Sequence, residues 1–89
     1  MEIVTMGYFE DLRKGSKSHR VRVISERAFR IEPIDDTRDA LRNFQDIADE
    51  AIANEDSEYQ VKPHPQHRVD LPNWKGPIYD MVVITRDET

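Results

Sequence analysis

Eighty-nine residues provide for one domain around one core, and the absence of cysteine excludes disulfides, thiolate catalysis and cysteine-ligated metal centres. The chain is 37% hydrophobic and 35% charged, a lean core under a charged surface, with apolar residues in patterned segments rather than a disordered composition. Net charge is −5, yet residues 11–30 carry +5 and residues 31–89 carry −8, so the chain is dipolar along its length.

The opening stretch, EIVTMGYFEDL, is acidic and alternating, unlike a signal peptide with a basic start and an apolar block. It reads as a strand, with Val4, Met6 and Tyr8 on one face and Ile3, Thr5 and Phe9 on the other. RKGSKSH has loop composition, and a flexible basic loop is expected over 13–19. RVRVI alternates, placing Val21 and Val23 inward and Arg20 and Arg22 outward. Ile24 and Ala28 break the period, so 20–32 is either one strand bulged near Ser25–Arg27 or two strands joined by a tight turn. Pro33 ends this segment because it cannot donate to a ladder.

The clearest element follows. Ala40, Leu41, Phe44, Ile47, Ala48, Ala51 and Ile52 recur at spacings of three and four, the apolar stripe of a helix of about four turns. Asp36 or Thr37 provides the N-cap, Asp39 suits the first turn, and Asn54 offers a stop. Arg42 and Asp46 stand four apart and can pair. Tyr59 and Val61 mark a short strand that ends near Pro63, and 63–77 reads as a Pro-rich loop with a brief strand at HRVDL. PIYDMVVITR is the best strand. Ile78, Val82 and Ile84 lie on one face and Tyr79, Met81 and Val83 on the other, which places it centrally in a sheet.

These elements assemble into an α+β fold, a small two-layer sandwich with one helix packed on a mostly antiparallel sheet of about four strands in ββαββ-like order. One domain over 1–89 is expected. The second sheet face, with Ile3, Phe9, Tyr79 and Met81, would then be an exposed apolar surface.

Catalytic and metal motifs are missing from this pattern. His64 and His67 stand three apart between prolines, but an extended segment aims such neighbours to opposite sides, so no metal site and no cofactor is expected. Ser16, Ser18, Ser25 and Ser57 sit outside any nucleophile elbow, and Asp35 and Asp36 are explained by helix capping, so no catalytic residue is named. The longest apolar run, Met81–Ile84, is too short to cross a membrane, and a cysteine-free chain fits the cytoplasm.

The expected function is a non-catalytic protein-binding module, a small regulator or inhibitor acting by surface complementarity, present as a monomer or homodimer. The profile matches in type the one-domain regulators carried by phages and other mobile elements. The partner-binding candidates are Arg13, Lys14, Lys17, Arg20 and Arg22 from the basic segment, with Trp74 and Tyr79 as aromatic anchors. The alternative is a nucleic-acid-contacting accessory protein that uses the basic segment 13–30. Convergence of those cations with aromatics on one face would favour that alternative; an acidic helix face over an apolar sheet face would favour the protein partner.

Overall fold

A computed structural model describes residues 7–67 and 71–87. The elements run α1 (Tyr8–Leu12), β1 (Arg20–Ser25), β2 (Ala28–Glu32), α2 (Arg38–Ala53), β3 (Tyr59–Gln66) and β4 (Ile78–Arg86). The four strands form one antiparallel sheet in the order β1-β2-β4-β3. Strands β2 and β3 both run antiparallel to β4, so α2 links two strands of the same direction and β4 returns between them. This is a split β-α-β arrangement, and it makes β1 and β3 the two edges. No described helix is long and apolar enough to cross a membrane.

The α+β two-layer architecture is as expected, with one main helix on one face of the sheet. Thr37 is the N-cap of α2, and its side chain accepts from the Ala40 amide. At the other end the Asn54 side chain donates to Glu50 O at 2.7 Å, where the backbone stops winding. Phe44, Ala48 and Ala51 are fully buried against Phe29, Ile31, Val82 and Ile84. Leu41 and Ile47, expected in the core, are only half-buried, because they flank the stripe instead of crowning it. Arg42, expected to pair with Asp46, extends Nη1 to within 3.5 Å of Pro72 O.

Asp35 prepares the helix start. Its carboxylate accepts from the Thr37 hydroxyl and from the Thr37 amide at 2.8 Å, and these bonds hold the Asp35 carboxyl below its ordinary 3.8. A lowered native value means the folded state gains from ionisation above 3.8 and loses that gain as the pH falls below it. Asp35→Asn keeps an acceptor but cannot titrate. Denaturation of both proteins from neutral pH into acid should therefore show a stability difference that shrinks below the carboxylate range; a difference independent of pH would contradict it.

Four expectations are corrected or narrowed. Residues 8–12 form helix α1, not a strand; residues 1–6, with Ile3, lie outside the described residues. Phe9 and Leu12, one helical turn apart, share a face and are buried, so Phe9 belongs to the core. Its ring stacks on Tyr59 with centroids 4.6 Å apart. Second, residues 20–32, open between one bulged strand and two strands with a tight turn, are the latter, a hairpin turning at Glu26–Arg27 with a register irregularity between Val23 and Ser25. Third, β3 continues through Pro63 and Pro65 to Gln66, so the Pro-rich segment is strand over its first four residues. Proline is tolerated there because β3 is an edge. The expected strand at HRVDL falls partly on residues 68–70, outside the described residues.

Fourth, β4 is central as expected, but its faces are not as simple alternation assigns them. His64 pairs with Met81 and Pro65 with Tyr79, so Asp80 is an extra residue that reverses the alternation. Tyr79 therefore packs against the core rather than on the second face. Gln45 secures the irregularity. Fully buried on α2, it accepts from Tyr79 N and donates to Tyr79 O, both at 2.7 Å, and donates to Leu41 O at 2.9 Å.

Candidate functional site

The basic residues singled out in the sequence do not converge. Arg13 closes α1 and reaches the hairpin turn, donating to Glu26 O at 3.0 Å and Ser25 O at 3.4 Å, with its guanidinium 5.8 Å from the Phe29 ring centre. Its role is to tie α1 to the sheet. Lys14 and Lys17 lie in the loop before β1, exposed. Arg20 and Arg22 project from β1 onto the sheet face opposite the helices, since Val21 between them packs toward the core. Trp74 is half-buried in its loop, and its Nε1 donates to Pro77 O at 3.3 Å. Tyr79 is the core residue described above.

The loop over 13–19 is closed by named bonds. The ring of His19 is buried, and Nε2 lies 2.8 Å from Leu12 O, which can only accept. Nε2 therefore carries hydrogen, and in the neutral ring Nδ1 accepts from Ser16 Oγ at 2.7 Å. This is the spacing of a nucleophile and its base. However, Ser16 Oγ also accepts from Ser18 N at 3.0 Å, which draws density from the oxygen, and Ser16 N donates to His19 O. Together these bonds close the loop. Gly15, at φ +80°, makes the turn that a side chain would strain.

What the fold does assemble is the open face of the sheet. Strand registers place Arg22 beside Arg30, Arg30 beside Val83, and Val83 beside Lys62, one residue from each strand. With strands about 4.8 Å apart, the row spans roughly 14 Å. A neighbouring row carries Arg20, Glu32, Met81 and His64. Glu32 is held by two guanidinium groups, Arg20 Nε at 3.0 Å and Arg30 Nη2 at 3.2 Å. Arg30 Nε is buried and has no hydrogen-bond partner among the described residues. Met81 and Val83 are half-buried between the charges. The apolar aromatic face expected from the sequence is thus a basic face with a small apolar centre, and none of its strand positions is Phe, Tyr or Trp.

Two of its cations were not among the candidates of the basic segment's first half: Arg30 and, from another part of the chain, Lys62. Alternation with Tyr59 and Val61, both buried, already puts Lys62 on the other face of its strand. The helix side is acidic by contrast, with Asp39, Asp46, Asp49 and Glu50 exposed on α2. Burial pushes the Tyr8 phenol up to about 12, and the Glu50 carboxylate adds to the rise. Burial likewise raises Tyr59, with Glu10 beside it, so both phenols stay neutral at physiological pH. His64 and His67 are both exposed, and no group of three or more metal-ligating side chains gathers among the described residues. Comparisons with protein-family models, with curated proteins and with solved structures return no match for this chain, so what the open face can do follows from its own chemistry.

Proposed function

We propose that the protein is a non-catalytic protein-binding module, a small regulator or inhibitor, that takes an acidic protein surface on the open face of its sheet. The observation that carries this reading is the row Arg22–Arg30–Val83–Lys62, two arginines directly paired and a lysine beyond one valine, on a chain of net charge −5. Like charges directly opposite on neighbouring strands destabilise a sheet. Glu32 offsets part of that cost, and Arg30 adds to it through its unpartnered Nε. Carboxylates from a partner would return it. Met81 and Val83 among the cations offer the apolar contact that an interface centre uses.

A protein partner fits these features better than nucleic acid. Among the described residues, no strand position of the face carries an aromatic ring on which bases could stack. The test is affinity capture from the native source with the wild type and with Arg22→Glu/Lys62→Glu, each with and without nuclease. The wild type should hold a nuclease-resistant partner that associates more slowly as salt rises, and the variant should lose it. A partner held equally well by both proteins would sink the reading, and one released by nuclease would give precedence to nucleic acid. Lys14→Glu/Lys17→Glu, off that face, should bind as the wild type does.

A further inference from the structure

We propose that the free edge of β1 receives an extended acidic segment of the protein partner as a fifth strand of the sheet. This rests on the acidic-partner reading above and adds where and how the partner docks. Among the described residues the sheet has two edges, and they differ. On β3, Pro63 and Pro65 lack the N–H that an added strand would need. Strand β1, Arg20–Ser25, contains no proline or glycine. It also carries the two most exposed large apolar side chains of the described residues, Val23 at 58% and Ile24 at 57%.

Their exposure has a structural cause. Val23 pairs with Phe29, which is buried, so Val23 stands on the core side of the sheet. Helix α2, however, packs mainly on β3 and β4, and Val23 stays exposed. A strand laid along β1 would bring alternate side chains beside Val23 on that side. On the other side its side chains would stand beside Arg20 and Arg22, with Arg30 one strand further in. An occupant with apolar residues on one face and carboxylates on the other complements both. Arg13 already takes the carbonyls of Ser25 and Glu26, so the docking segment runs from Arg20 to Ile24. The same arginines disfavour a second copy, because edge-to-edge pairing of two β1 strands gathers the arginines of both copies on one face.

The probe is a synthetic peptide of alternating valine, threonine and glutamate, with its glutamates changed to lysine as the control, titrated into the isotope-labelled full chain. Amide shifts and slowed hydrogen exchange should concentrate at residues 20–24. Val23→Glu/Ile24→Glu, both exposed positions where glutamate is compatible with the fold, should weaken binding by about tenfold or more. Shifts centred on Lys62 and Val83 with β1 amides unchanged would overturn the edge site and leave the acidic-face reading standing. No binding at millimolar peptide, or equal binding of the lysine control, would also overturn the edge site. Concentration-dependent shifts of β1 without peptide would assign the edge to a second copy and overturn it too. Failure of the underlying reading shows separately, in the capture experiment on Arg22→Glu/Lys62→Glu.

Discussion

Phe44→Ala is expected to lower the free energy of unfolding by about 3–5 kcal/mol. Phe44 is fully buried at the centre of α2 and belongs to the cluster that joins α2 to Phe29 and Ile31 of β2 and to Val82 and Ile84 of β4. Truncation removes the ring from contact with both interior strands and leaves a space that the surrounding side chains fill only in part. In a domain of this size the loss is a large fraction of the roughly 5–15 kcal/mol typical of folded proteins. Urea denaturation should show a lower midpoint with an unchanged slope. Leu41→Ala and Ile47→Ala, half-buried at the margins of the stripe, should cost less than Phe44→Ala. A Phe44→Ala midpoint like that of the wild type would mean that α2 does not pack on the sheet through this residue.

Gln45→Leu should destabilise the fold by about 2–5 kcal/mol, although it exchanges a buried polar side chain for an apolar one of similar size. The reason lies in what Gln45 satisfies. Its amide closes both the N–H and the C=O of Tyr79, beside the extra residue Asp80, where regular ladder pairing is interrupted. Leucine leaves both backbone groups buried without a partner, at roughly 1–3 kcal/mol each. It also breaks both hydrogen bonds by which Gln45 of α2 holds Tyr79 of β4. The distinguishing measurement is amide exchange: the Tyr79 N–H should exchange much faster in Gln45→Leu, while amides in the β1–β2 hairpin keep their relative protection. A stability gain in this variant would show that the polar bridge is dispensable.

The two expectations concern the same helix, yet only one of them could be drawn from the sequence. Phe44 announces itself by spacing, since Ala40, Phe44, Ala48 and Ala51 lie on one face of any helix formed there. Gln45 sits beside that stripe with no pattern to mark it, because its partner Tyr79 is 34 residues away. The open face has the same origin. Arg22, Arg30 and Lys62 are unremarkable in their own segments and become one row only when three strands are set side by side. The basic segment looked like a unit because its charges are consecutive; folding separates Arg13, turned to the hairpin carbonyls, from Arg22 on the far side of the sheet.

By itself, the sequence determined the properties that depend on neighbours along the chain. These are the extent of α2 with a cap at Asp36 or Thr37, a break in the strand pattern near Ser25–Arg27, and the doubly apolar β4 that belongs in the middle of a sheet. Tertiary structure decided the rest. The stretch Tyr8–Leu12 is helical although Tyr and Phe favour strands, since five residues carry too little local preference to resist burying Phe9 and Leu12 on the sheet. Strand β3 passes through two prolines because its outer side has no ladder to break. Val23 has the alternation of a buried residue and is exposed, because α2 packs mainly on β3 and β4. Periodicity fixes which residues share a side of an element. Which strand becomes an edge, and what covers each side, is set by pairings between distant segments, and those carry no local signature.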